Sequence, residues 1–155
     1  MAESTPEKDA RIFLDSNVIL SGLMSSKGAP RIILDLLSIE VPLLKGTTGQ
    51  YNLEEIERNL SRRFPDLLPI YRDYFSKMRL EIIPLPEFEE ILPLIEKMSP
   101  KDAPVLVSAQ KGEVGYLITG NKKDFPKELL QPVILVSPAD FLSQILPEII
   151  SKQGA

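Results

Sequence analysis

RIFLDSNVILSGLM, residues 11–24, is the stretch on which the fold turns. Arg11 to Asp15 is a short apolar run ending in a carboxylate, and NVILSGLM follows at once with the make-up of a helix. A charge at the end of a buried strand is costly unless something pairs with it, so Asp15 needs an explanation. One is that Asp15 caps the helix behind it by accepting free backbone N–H groups. The other is that it holds a metal ion, with Asn17 repeating the polar supply two residues on.

Outward from this stretch, strand-like and helix-like segments alternate. Pro30 stands where a helix begins, and Ile32, Ile33, Leu36 and Leu37 give that helix an apolar face. Val41 to Leu44 reads as a second strand. Leu53, Ile56 and Leu60 space out a third helix, and Pro65 opens a fourth over DLLPIYRDYFSKM. Leu80 to Leu85 reads as a strand, Glu87 to Met98 as a helix, and a further helix runs from near Asp102 to Lys111. Tyr116 to Thr119 and Val133 to Val136 are strands, and Ser137-Pro138 starts a last helix with Phe141, Leu142, Ile145 and Ile149 on one face. Met1 to Ala10 reads as a disordered tail, residues 11–150 as a single domain, and Ser151 to Ala155 as a frayed end. Strands alternating with helices imply right-handed crossovers and a parallel sheet covered on both faces, a three-layer α/β fold. Sites in such sheets form outside the carboxyl ends of the strands. That rule selects Asp15 and Thr119-Gly120-Asn121.

Composition narrows the chemistry. The 155 residues include no His, no Cys and no Trp, which excludes a Ser-His-Asp triad, a thiol nucleophile, a disulfide frame and an ordinary structural zinc site. What remains is chemistry on carboxylates, Lys, Tyr, Ser or Thr, or on a hard metal held by oxygen. MAESTPEKDA lacks the apolar core of a signal peptide, and no apolar run approaches the ~20 residues that span a bilayer, so a cytoplasmic protein without membrane contact is expected.

Three acidic places carry the candidate chemistry beside Asp15. Asp102 precedes Ala103-Pro104, which makes it a natural N-cap, or the closing acid of a capping box begun by Ser99. Glu54 and Glu55 lie on the third helix, where Glu54 has Arg58 four residues on as an ion-pair partner. Asn121-Lys122-Lys123-Asp124 spells the NKxD string of guanine-binding GTPases, but the phosphate loop such proteins need is absent from the sequence. Acids drawn from distant parts of one α/β domain suit Mg²⁺ or Mn²⁺, which prefer oxygen ligands and activate water against a phosphodiester.

The motifs resemble those of PIN-domain proteins, in the branch of toxin components of toxin–antitoxin pairs. IFLDSNVILSGL is similar to the family's first motif and LEEIERNL to its helical Glu motif. KDAPVLVSAQ resembles the third acidic motif, YLITGNKKDFP the fourth, and VILVSPADFL the closing strand and helix. The resemblance spans about Arg11 to Leu146. It implies a PIN-like fold with a central parallel sheet flanked by helices, and a metal-dependent nuclease that hydrolyses single-stranded RNA. By position it implies Asp15, Glu55 and Asp102 as metal-binding, catalytic carboxylates, with Asn17 and Thr119 in support. Glu55 is preferred to Glu54 because an apolar residue, Ile56, follows it directly. Relatives carry the fourth acid at the position of Asn121 or at that of Asp124, so both stand as candidates for the fourth ligand. Mg²⁺ or Mn²⁺, an RNA substrate, an antitoxin and a homodimer are the implied cofactor and partners.

The net charge of −4 becomes zero without Asp15, Glu55, Asp102 and Asp124. Lys101, Lys122, Lys123, Arg58, Arg62 and Arg63 fall near the motifs and are candidate phosphate contacts. A catalytically inactive PIN-like module binding RNA or protein is the rival reading; a phosphotransferase with Asp15 as nucleophile is a third. Within DLLPIYRDYF, Leu67, Leu68, Ile70, Tyr71, Tyr74 and Phe75 exceed what one core-facing stripe needs, which predicts an apolar patch for the dimer or antitoxin.

Overall fold

The structure, a computed structural model, describes residues 10–154. Five parallel strands form one sheet: β1 (Arg11–Leu14), β2 (Lys45–Gly49), β3 (Glu81–Ile83), β4 (Tyr116–Ile118) and β5 (Ile134–Val136), in the order β3-β2-β1-β4-β5. Period-two alternation sorts the central strands between two cores. Ile12, Leu14, Tyr116 and Ile118 face one, and Phe13 and Leu117 face the other. The first core is closed by α1 (Ser16–Met24), α2 (Ala29–Ser38), α3 (Gln50–Arg63) and α4 (Leu68–Met78), together with the C-terminal helical run. That run passes from α7 (Pro138–Asp140) through a π-helical segment, Phe141–Ile145, into α8 (Leu146–Gly154). The second core is closed by α5 (Phe88–Ile95) and α6 (Ala103–Lys111). Three layers around a parallel sheet match the sequence expectation. The tail expected at Met1–Ala10 lies outside the described residues except for Ala10, which is buried in the first core.

The second strand differs from its expected place. Val41–Leu44 is a turn, and the strand is the next segment, KGTTG. The apolar run misleads because the true strand is packed tightly enough to need small residues. A Cβ at Gly46 would stand 2.6 Å from Leu80 Cδ2 and 3.0 Å from Leu37 Cδ1. Thr47 and Thr48 are fully buried, and their hydroxyls donate to the carbonyls of Ile12 (3.1 Å) and Leu14 (2.8 Å) in β1. A buried hydroxyl is tolerated when it is so bonded.

Segment 66–75 also differs from expectation. Tyr71 is buried in the first core, and Leu67, Leu68, Tyr74 and Phe75 are partly buried against it. The Tyr74 hydroxyl donates to the Asp35 carboxylate and accepts from Arg31 Nε (2.9 Å), while the Arg31 guanidinium lies 4.9 Å from its ring centroid. Of the six side chains only Ile70 is exposed. Sandwiching α4 on α2 absorbs the aromatic residues that were expected to form a patch.

Candidate active site

The carboxyl edge of the sheet gathers polar residues at the ends of adjacent strands. Asp15 follows β1 and is 6% exposed. Its Oδ1 accepts from the Ser16 backbone N–H (2.7 Å) and from Asn52 Nδ2 (3.3 Å). Its Oδ2 accepts from the Thr119 hydroxyl (2.9 Å) and from Asn17 Nδ2 (3.3 Å). The carboxylate therefore caps α1 through Oδ1 and is also held from two other segments, by Asn52 and Thr119. Burial pushes the Asp15 carboxyl up to about 6; the Thr119 and Ser16 hydrogen bonds oppose that rise, and the charges of Glu55 and Asp102 add to it.

Thr119 and Asn17 lock this arrangement across two strands. The Thr119 hydroxyl oxygen accepts from Asn17 Nδ2 (3.2 Å) and from the Asn121 backbone N–H (3.1 Å), and Asn17 Oδ1 accepts from the Gly120 N–H (2.9 Å). Both expected supporting residues stand against Asp15.

Asp15, Glu55, Asp102, Asn121 and Asp124 line one cleft of about 190 Å³, together with Ser16, Asn17, Asn59 and Lys101. Glu55 reaches it from α3, while Glu54 is exposed and accepts from Gln50 Nε2 (3.2 Å) instead of pairing with Arg58. Asp102 occupies the N-cap position of α6, yet its side chain makes no capping hydrogen bond. Its carboxyl is pushed up by burial first and then by Asp124, with Lys101 opposing and Glu55 adding. Tyr51, whose hydroxyl donates to the Lys101 carbonyl (3.0 Å), is pushed up by burial and by the same two acids, Glu55 and Asp102. Negative charge is concentrated here and meets itself across the cleft.

Asn52 is the residue that sequence reasoning missed. The buried stripe of α3 is Asn52, Ile56 and Leu60, with Leu53 only half-buried. Asn52 is fully buried and also donates to the Ser16 hydroxyl (2.9 Å), while its Oδ1 and the neighbouring Ser108 Oγ lack partners among the described residues. The available signal was a polar residue in line with Ile56 and Leu60 at i, i+4, i+8.

The donors fit a hard divalent cation by type: carboxylate and amide oxygens with neither His nor Cys in the chain. They fit it by charge as well, since Asp102 feels Asp124 and Glu55, a repulsion that a cation between them relieves. Among the described residues, no three carboxylates stand together closely enough to chelate an ion as placed.

The family model described as PIN domain matches residues 11–123. VapBC2 from Rickettsia felis, solved bound to a DNA fragment from its promoter, is similar at 20% identity and TM-score 0.62, covering 82% of this chain and 98% of that one. DNA-bound VapBC from Salmonella typhimurium is similar at 14% identity and TM-score 0.63, with 83% and 98% covered. A third similar structure, PAE2754 from Pyrobaculum aerophilum, has 12% identity and TM-score 0.60, with 93% and 94% covered. No curated protein matches the sequence.

Proposed function

This chain belongs to the PIN domain family, and from that premise we propose that it is a metal-dependent endoribonuclease acting on single-stranded RNA, the toxin of a toxin–antitoxin pair. The observation that carries the reading is the convergence of Asp15, Glu55, Asp102 and Asp124, from separate segments, on one cleft at the carboxyl edge of the sheet. Asp15, Glu55 and Asp102 would hold Mg²⁺ or Mn²⁺, with Asn121 or Asp124 completing the set. A bound ion of this kind supplies activation of water and shielding of the phosphodiester charge. Asp15, fixed by donors on both oxygens, sets the position from which the other acids are measured. Asn17 and Thr119 hold its Oδ2, and Asn52 holds its Oδ1. Lys101, on the rim, offers a cation to the phosphate.

The partner reading rests on the VapBC neighbours and on exposed apolar side chains. Met24 and Ile32 on α1 and α2, with Phe64 and Ile70 beside and on α4, are all exposed. An antitoxin is the protein proposed to cover part of this surface.

The test is cleavage of a mixed-sequence single-stranded RNA. Wild type should cleave with Mg²⁺ or Mn²⁺ and stop with EDTA, and Asp102→Asn should fall to about a hundredth of the wild-type rate or lower. Binding without cleavage under every divalent ion would replace the nuclease with the inactive binding module.

A further inference from the structure

The arginines divide into two groups. Arg11, Arg31, Arg72 and Arg79 are each paired with a carboxylate: Glu81, Asp35, Glu57 and Glu40 respectively. Arg58, Arg62 and Arg63 are exposed and have no ion pair among the described residues, and all three lie on α3. Favourable placement against the helix dipole accounts for Arg62 and Arg63 in the last turn, but that effect does not reach Arg58. Glu54, four residues before Arg58, is turned to Gln50 instead. Arg58 and Arg62 repel each other at i, i+4, a small cost that the helix dipole offsets at Arg62 but not at Arg58.

Their placement relative to the acids is set by topology. Tyr51, Glu55, Arg58 and Arg62 recur at i, i+4, i+7 and i+11, so one stripe of α3 leads out of the acidic cleft onto free guanidinium groups. Arg58 stands one turn beyond Glu55, which lines the cleft, and its charge is felt at Tyr51. On the other side, the turn Lys122–Asp124 follows β4 and carries the exposed, unpaired Lys122 and Lys123. Along the sheet the order is β2, β1, β4, so α3 and this turn flank Asp15 from opposite sides. Cations bank an acidic centre on both sides.

We infer that Arg58 and Arg62 on one bank and Lys122 and Lys123 on the other form a track for the phosphates of a single-stranded polynucleotide, with the acidic cleft beneath the stretch between them. This rests on the nuclease reading for its centre and adds the path by which the strand reaches it. A sugar–phosphate chain suits the arrangement because the cations are exposed and lie on elements on both sides of the centre, while the centre repels anions unless a divalent ion is present. An acidic protein segment is the competing occupant that the experiment separates.

The experiment is fluorescence anisotropy with a labelled mixed-sequence RNA oligonucleotide. It is titrated at several salt concentrations with Ca²⁺ present, an ion that takes the same oxygen ligands. Each single-strand phosphate contact contributes about 0.7 to the slope of log K against log salt. Arg58→Ala/Arg62→Ala and Lys122→Ala/Lys123→Ala should each lower the slope by about 1.4. Lys77→Ala, whose partner is Asp73 on α4, should leave it unchanged. Both double variants keeping the wild-type slope, or a wild type that shows no salt-dependent binding, would overturn the track. A wild type that binds with this slope but never cleaves would instead overturn the nuclease reading and leave the track supported.

Discussion

Asp15 carries two readings that do not exclude each other. The sequence offers a helix cap and a metal-holding carboxylate as alternatives; the structure shows the cap and places the same side chain in the acidic cleft, where the metal role is proposed. Its raised pKa has a consequence with an unusual sign for an acid. Between about 4, the ordinary value, and about 6, the native state binds the proton more tightly than the unfolded chain does. Stability from this group is therefore present below pH 4 and lost as pH rises through 6, on the order of 3 kcal/mol in all. In metal-free protein, the stability difference between wild type and Asp15→Asn should shrink over that window and be flat above it. Urea melts at a series of pH values would show this; a difference that grows with pH contradicts it. Asn52 makes a second case at this scale. Asn52→Leu removes a donor from Asp15 together with a carbonyl that has no partner, so the fold should lose only about 1 kcal/mol. Divalent-ion affinity by calorimetry should weaken by about 10- to 100-fold. An unchanged affinity would make Asn52 a packing residue. Asp15 was legible because a carboxylate after an apolar strand is conspicuous, whereas Asn52 was not, since its role depends on a strand nearly forty residues away.

Elements were legible where burial is carried by apolar side chains. RIFL, YLI and ILV were found by their runs, and α2 by its apolar face behind Pro30. β2 was misplaced because Gly46, Thr47 and Thr48 bury backbone and hydroxyls in place of hydrocarbon. Gly46→Ala tests that account. The added methyl must displace Leu80 and Leu37, an overpacking cost of about 1–3 kcal/mol. A lowered denaturant midpoint with native circular dichroism is the expected outcome, and an unchanged midpoint would mean that the strand has room to spare. α4 marks the converse error: its aromatic residues were legible, but their destination was not, because Tyr74 is satisfied by Arg31 and Asp35 on α2, a helix far away in sequence.

At the scale of the whole molecule, the parallel sheet converts scattered acids into one cleft. β1, β2 and β4 are neighbours, so Asp15, α3 with Glu55, and the turn holding Asn121 and Asp124 emerge side by side. The order of strands was not readable from the sequence, yet the rule that sites lie beyond carboxyl ends was enough to choose the edge. Lys101 lines the acidic cleft, and the proposed track of Arg58, Arg62, Lys122 and Lys123 would reconcile a chain of net charge −4 with the proposed polyanionic substrate. Among the described residues, no helix is long and apolar enough to cross a membrane.

The central claim is that the four acids assemble a divalent-ion site only in the folded chain. It is tested most directly by thermal melts of wild type and Asp15→Asn with and without Mn²⁺. At a hundredfold excess over Kd, binding to the native state adds about 2.7 kcal/mol, or roughly 5–10 °C for a domain of this size. Wild type should rise by that amount and Asp15→Asn by little, with Asp124→Asn in between if Asn121 completes the ligand set. An equal rise in wild type and Asp15→Asn, or no rise in either, would contradict the account.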